Sequence, residues 1–322
     1  MIVLVTGASG FLGRAVVADL IAAGHHVRTL QRRPSNVEGA TDILGSITAP
    51  VTVARAIDGV EGVVHLAAKV SLAGPADQFR AVNVEGTRSL LDAAERAGVS
   101  RFVQVSSPSV AYAGSALAGV GAEPADPGRA RGHYARTKAH GELIALGRDS
   151  SAMNVVAIRP HLVWGPGDTQ LIARIVARAR RGRLPLLNGG TALIDTTYID
   201  NAASGIAAAL HRAPTAHGRA YVLTNGEPRP VGDLLAGICL AAGVRPPRRS
   251  IPAGLGRAAG SVIERLWALS PSTDEPPMTR FLAEQLSTAH WFDQRETRRA
   301  LAWSPRVTID EGLRRLAAVS AC

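Results

Sequence analysis

The chain has 322 residues, 46% of them hydrophobic, and its 36 basic against 26 acidic side chains give a formal net charge of +10. A chain this long buries roughly 75% of its unfolded surface, enough to fold without a disulfide, and Cys239 and Cys322 form no metal-ligand cluster, so a reducing compartment and no metal are expected. The charge suggests nucleic acid, but aromatic residues make up only 4% and do not interleave with the basic ones, so no nucleic-acid partner is expected.

Only Lys69 and Lys138 are lysines; the other basic residues are arginines. No leader pattern precedes the first apolar run, and no stretch approaches the ~18 apolar residues of a spanning helix. A cytoplasmic protein without a transmembrane segment is expected.

Along the first 165 residues, short Val/Ile-rich runs alternate with longer Ala/Leu-rich stretches, the pattern of an α/β doubly wound parallel sheet. Strands are predicted at 2–6, 26–30, 62–66, 101–106 and 154–159, with helices at 11–23, 51–57, 78–97 and 133–147. Gly98 stands where a left-handed helix cap is expected. Beyond Arg159-Pro160 come Gly165-Pro166-Gly167, an Arg-rich helix over 171–181 and a Gly189-Gly190 turn. The alternation returns at 196–200, followed by an Ala-rich helix over 202–211. The expected division is a Rossmann domain over 1–165 that also reclaims 191–225. Residues 166–190 and 226–322 then form a smaller, mostly helical substrate region.

Thr6-Gly7-Ala8-Ser9-Gly10-Phe11-Leu12-Gly13 follows the first strand and opens the first helix. Glycines there let the backbone approach a pyrophosphate, and the helix N-terminus supplies unpaired N–H groups for its charge. At the end of the second strand, where a carboxylate would bind a ribose 2′-hydroxyl, the chain reads Gln31-Arg32-Arg33. Arginine there suits a 2′-phosphate, so NADP(H) is the preferred cofactor and NAD(H) the alternative. Tyr134 and Lys138 share a helix face, and an ammonium near a phenol of ordinary pKa about 10 favours its ionisation. Ser106-Ser107 ends a strand, where open α/β sheets place their ligands.

Taken together, the glycine turn, His65-Leu66-Ala67-Ala68, Asn83-Val84-Glu85-Gly86-Thr87, Ser106-Ser107 and Tyr134-Ala135-Arg136-Thr137-Lys138 resemble the extended short-chain dehydrogenase/reductases. Arg159-Pro160, Trp164-Gly165-Pro166-Gly167 and Tyr198-Ile199-Asp200-Asn201-Ala202 continue the likeness, which spans essentially the whole chain. The resemblance implies Ser107 as catalytic serine, Tyr134 as proton donor, and Lys138 as ribose ligand and tyrosine activator. It implies cofactor contacts at Gly7, Ser9, Gly10, Phe11, Leu12, Gly13, Arg32, Arg33, Ser46, Ile47, Leu66, Ala67, Ala68, Asn83, Tyr134, Lys138, Pro160 and Val163. Two departures stand out. Gly45-Ser46-Ile47 offers a serine where the family has an aspartate beside the adenine, and Val110-Ala111-Tyr112 displaces a family tyrosine.

Pro276-Pro277-Met278-Thr279-Arg280-Phe281, His290-Trp291-Phe292-Asp293 and Leu301-Ala302-Trp303-Ser304-Pro305-Arg306-Val307 resemble the 3β-hydroxysteroid dehydrogenase/isomerase branch. Within it the chain is similar to the bacterial 2-alkyl-3-oxoalkanoate reductases of long-chain olefin biosynthesis. That likeness implies reduction of a long-chain β-keto acid to a β-hydroxy acid, in a homo-oligomer assembled with a β-lactone synthetase and a β-lactone decarboxylase. A 3β-hydroxysteroid or sterol-carboxylate dehydrogenase is the alternative enzyme. A non-catalytic dinucleotide sensor or scaffold is the alternative of another class. Pro108-Ser109 after Ser107 disfavours a nucleotide-sugar dehydratase, which carries an Asp-Glu pair there. An apolar substrate pocket is expected. Leu255, Val262, Ile263, Leu266, Trp267 and Leu269 fall at helical spacing, with core packing the simpler reading and an acyl-contacting lid the other. His161 and the arginines over 174–183 are candidate carboxylate ligands, with a solvated surface role expected for each.

Overall fold

The computed structural model describes residues 1–71, 74–268 and 279–320, without the side chains of 264–268 and 280–282. Cys322 and the stretch Pro276-Pro277-Met278, with Pro271 and Leu269, lie outside the described residues, as do the side chains of Leu266, Trp267, Arg280 and Phe281.

Seven parallel strands form the central sheet: β1 (Ile2–Thr6), β2 (His26–Gln31), β3 (Thr41–Leu44), β4 (Gly62–His65), β5 (Arg101–Val105), β6 (Asn154–Pro160) and β7 (Arg219–Leu223). Their spatial order, β3-β2-β1-β4-β5-β6-β7, places β1 in mid-sheet between β2 and β4. The chain therefore switches direction at the carboxyl end of β1, the crevice where open α/β sheets bind ligands.

Both faces are covered, which is why the strands read as continuous apolar runs. Val3 and Val5 face one way, against Val16, Val17 and Leu20 of α1 (Phe11–Ala22) and Ile206 and Leu210 of a long helix near residue 200. Leu4 points the other way, into a core with Val53 of α2 (Pro50–Ile57), Leu90 and Leu91 of α3 (Thr87–Arg96) and Ala145 of α4 (Gly132–Leu146). Successive side chains on a strand alternate faces, so one five-residue run serves two cores.

Beyond β6 come α5 (Leu171–Arg180), α6 (Ile199–Ala216, the long helix), α7 (Val231–Ala241) and α8 (Ala253–Ala268). A third core joins Trp164, Ile175, Tyr198, Leu235, Ile238 and Ile309. The region is not only helical. Leu117–Val120, Leu193–Ile194, Arg229–Pro230 and His290–Phe292 make a small four-stranded sheet beside it. No helix among the described residues is long and apolar enough to cross a membrane.

Three local differences from the sequence reading have physical causes. Strand β3 went unseen because three of its four residues are exposed at the sheet edge, where no apolar run is required. The predicted helix over 78–97 is interrupted by a π-helical turn, Ala81–Gly86, which contains Asn83. Single π turns inside helices are frequent at functional sites. Around 196–200 only Thr197–Tyr198 is extended, pairing with Val163–Trp164, and the seventh sheet strand is Arg219–Leu223 instead. Gly98 has the expected positive φ of 72°.

Candidate active site

The turn after β1 is shaped by two glycines. Gly7 has φ +78°, and a Cβ on it would lie 2.8 Å from Ala67 N, because the chain leaving β4 crosses directly over the turn. A Cβ on Gly13 would lie 2.3 Å from Gly7 O, so the first turn of α1 sits against the strand exit. Gly10 caps α1 without a side-chain hydrogen bond, and the first turn holds no acidic residue. The leading N–H groups of α1 thus meet neither a capping oxygen nor a repelling carboxylate. A pyrophosphate fits this cradle, with Gly7, Ser9, Gly10, Phe11, Leu12 and Gly13 around it.

A chain of hydrogen bonds ties the turn to the helices beneath. Ala67 N donates to Thr6 Oγ1 at 3.1 Å, and Thr6 Oγ1 lies 2.6 Å from His65 Nδ1. On the other side His65 Nε2 lies 3.0 Å from Thr87 Oγ1, which donates to Asn83 O at 2.9 Å. The single hydroxyl proton of Thr87 is committed to Asn83, so His65 carries its proton on Nε2 and accepts from Thr6 through Nδ1. Burial, with the Lys138 charge adding to it, pushes the His65 pKa down to about 3 and keeps the ring neutral. Asn83 accepts from Lys69 N at 2.7 Å and donates to Thr137 Oγ1 at 3.0 Å, and Thr137 lies against the Tyr134 carbonyl. The Leu66-Ala67-Ala68 crossing, Asn83 and the Tyr134 helix are therefore one connected unit.

Ser107, Tyr134 and Lys138 meet at the carboxyl end of β5. Ser107 caps the 3₁₀ turn Pro108–Ala111, accepting from Ser109 N at 3.3 Å, and its Oγ lies 2.9 Å from Ser109 Oγ. The neighbouring Ser106 Oγ is buried with no hydrogen-bond partner among the described residues. Burial raises the Tyr134 phenol above its ordinary value, opposed by a hydrogen bond to Ser107. Lys138 Nζ donates to Val105 O at 2.5 Å, and burial brings its pKa from 10.5 down to about 8, with the Glu142 charge acting against the fall. Lys138 lies one turn along the same helix from Tyr134.

One turn beyond Lys138, Glu142 receives Arg159 in a two-pronged contact, Nε to Oε2 at 2.9 Å and Nη2 to Oε1 at 2.5 Å, with both side chains about 2% exposed or less. Arg159 Nη1 also donates to Glu123 O at 2.6 Å. Sequence reasoning missed this pair, and it quoted Thr6, Thr87 and Thr137 inside motifs without giving them a role. The faint signal was polar residues inside otherwise apolar runs.

The remaining predicted residues divide by burial. Arg32 and Arg33 are exposed at the end of β2. Gln31 is buried and donates to Asp42 Oδ1 at 3.1 Å, where Thr29 also donates at 2.5 Å. Ser46 closes a small turn with Thr48 Oγ1 at 2.7 Å, while the Ile47 side chain belongs to the α2–α4 core. Pro160 ends β6 and Val163 pairs with Thr197. His161 is not a solvated surface residue, as was expected. It is 6% exposed, its Nδ1 lies 2.6 Å from Asp195 O, and burial pushes its pKa to about 4. Its ring stacks edge-on to Phe292, and lies 6.0 Å from the buried His290.

A family model described as the NAD dependent epimerase/dehydratase family matches residues 3–224. The chain belongs to that family. Membership, together with reductase and dehydrogenase relatives, makes it an NAD(P)-dependent oxidoreductase. It is 41% identical over 329 residues to a protein of Stenotrophomonas maltophilia named 2-alkyl-3-oxoalkanoate reductase, covering 100% of both chains. It is 33% identical over 326 residues to a 3 beta-hydroxysteroid dehydrogenase/Delta 5→4-isomerase of Mycobacterium tuberculosis, covering 97% of this chain and 88% of the relative. Among solved structures, a short-chain dehydrogenase/reductase superfamily protein from Agrobacterium tumefaciens with bound NAD aligns at a TM-score of 0.77 and 26% identity. That alignment covers 99% of this chain and 97% of the other.

Proposed function

We propose that the chain reduces 2-alkyl-3-oxoalkanoic acids to 2-alkyl-3-hydroxyalkanoic acids with NADPH, in the biosynthesis of long-chain olefins. The observation that carries the reading is the convergence of Ser107, Tyr134 and Lys138 at the carboxyl end of β5, in a chain 41% identical from end to end to a reductase so named. In that pathway a β-lactone synthetase and a β-lactone decarboxylase act on the product, and we include them, with a homo-oligomeric state, as proposed partners.

When bound, the dinucleotide supplies a hydride to the carbonyl carbon. The rest falls to this chain. Ser107 Oγ, fixed by Ser109, holds the carbonyl oxygen. Tyr134, whose raised pKa keeps its proton at neutral pH, donates that proton to the oxygen as negative charge develops there. The hydrogen-bonded unit of Thr6, His65, Asn83 and Thr137 keeps the Tyr134 helix in register with the glycine turn.

Purified protein should be assayed with a 2-alkyl-3-oxoalkanoic acid and with a 3-oxosteroid, each with NADPH and NADH. The proposal requires kcat/KM for the keto acid with NADPH to exceed every other combination by tenfold or more. Comparable turnover of the steroid would transfer the activity to the reading that the mycobacterial relative suggests, and equal use of NADH would remove the NADPH preference.

A further inference from the structure

Helix α8 turns one side to the protein and the other to solvent. Ala253, Gly256 and Gly260 are buried, and a Cβ on Gly256 would fall 2.8 Å from Leu187 Cδ2. Leu255, Ala258, Ala259 and Val262 are all exposed, Leu255 and Val262 at 64% and 55%. At the helical period these four positions share one face. The simpler expectation, core packing, is therefore overturned for Leu255 and Val262.

A basic surface adjoins this face. The two-residue strands Leu186–Leu187 and Ser250–Ile251 pair in parallel, and Leu186 N donates to Arg249 O at 2.8 Å. Parallel pairing brings the segments that enter both strands to the same end of the ribbon. One entering segment carries Arg180, Arg181 and Arg183, and the other Arg245, Arg248 and Arg249, all six exposed. Only Pro252 separates the ribbon from α8. Neither 169–194 nor 234–263 contains an aspartate or glutamate.

We propose that this surface docks on an anionic phospholipid bilayer, the arginines on headgroup phosphates and the Leu255–Val262 face at the boundary of headgroups and acyl chains. Guanidinium forks match phosphate oxygens in pairs, and an apolar helix face bordered by arginines is the composition of helices that lie in that interface. Among the described side chains the exposed strip is Leu, Ala and Val, without the aromatic and hydrogen-bonding groups that give protein interfaces their directional anchors. No described helix spans a bilayer, so the contact is peripheral and reversible. The proposal is independent of the substrate, because binding is read without turnover.

The test is co-sedimentation of the full chain with vesicles of phosphatidylcholine alone, or with about 30% phosphatidylglycerol. Salt is set at about 0.1 M and then about 1 M, where the screening length falls from about 10 Å to about 3 Å. At low salt the anionic vesicles should bring down at least about ten times more protein than the neutral ones, and high salt should abolish the difference. Arg245→Glu/Arg248→Glu/Arg249→Glu and Leu255→Ser/Val262→Ser should each cut the bound fraction about tenfold while leaving thermal unfolding unchanged. Equal sedimentation with both lipids at low salt would overturn the proposal, as would unaltered binding by both variants. Concentration-dependent self-association that Leu255→Ser/Val262→Ser removes, without vesicle binding, would overturn it too and assign the face to a second copy.

Discussion

Two parts of this molecule use charge and polarity in opposite ways. Around the carboxyl ends of β1, β4 and β5, polar side chains are buried and tied to one another: His65 has both ring nitrogens engaged, Asn83 bridges two segments, and Arg159 is locked to Glu142. Along the ribbon that leads into α8, Arg180, Arg181, Arg183, Arg245, Arg248 and Arg249 face water, and Leu255 and Val262 lie uncovered. A buried polar group costs stability unless paired, so the first arrangement persists only with its geometry intact, and there polarity fixes position. In the second, charge fixes nothing inside the protein and is available to something outside. Single substitutions should therefore be felt strongly in the first region and weakly in the second, where Arg248→Ala should change stability by no more than about 0.5 kcal/mol.

The largest effect is expected at Tyr134. Tyr134→Phe removes the proton donor and leaves the glycine cradle untouched, so kcat should fall by about 10²–10⁴-fold. Dinucleotide affinity, followed by fluorescence titration, should stay near wild type. Near-normal turnover would take the chemistry away from this residue. Next comes Glu142→Gln, which keeps shape and removes the charge that faces Arg159. Breaking one half of a buried pair costs about 3–5 kcal/mol, read as a lower midpoint of urea unfolding. A loss below about 1 kcal/mol would mean that the pair behaves as a surface ion pair and that the contrast between the two regions is false.

Arg32→Ala/Arg33→Ala probes the margin between the two arrangements, since these exposed side chains serve only if a 2′-phosphate reaches them. Loss of charge-assisted hydrogen bonds should weaken NADPH binding by about 10- to 100-fold and leave NADH binding unchanged. Equal weakening of both would place the pair elsewhere than at the 2′-phosphate.

What the sequence could and could not disclose follows the same division. Strand β1 and the glycine turn were legible because local pattern and chain order suffice: an apolar run, a Gly-rich turn, a helix start. The grouping of Ser107, Tyr134 and Lys138 came from the family resemblance, since a Tyr and a Lys four apart are by themselves only one helix face. The Glu142–Arg159 pair was not legible, because a charge on a helix and one on a strand both read as solvated until their packing is known. His65 needed the fold to bring Thr6 and Thr87 to its two nitrogens. Leu255 and Val262 have the spacing of a core face, but spacing establishes only that two side chains share a side of a helix. What covers that side is a matter of tertiary contact.

The subtlest prediction concerns Lys138, where activity and stability should move in opposite directions with pH. Its pKa is about 8 in the folded protein against an ordinary 10.5. Between those values the unfolded chain binds a proton at this site and the folded chain does not, so the contribution of Lys138 makes the fold more stable as pH rises from about 8 to 10.5. Loss of the ammonium in the same window removes the charge beside Tyr134, and kcat should decline above about pH 8. Glu142 works against the depression of this pKa, so Glu142→Gln should move the alkaline limb of the rate profile to lower pH. That shift is separable from the loss of stability, because simple weakening of the fold lowers the amount of active protein without moving the midpoint of the limb. An unmoved limb in Glu142→Gln would confine that carboxylate to holding Arg159 and break the link between the buried ion pair and the catalytic helix.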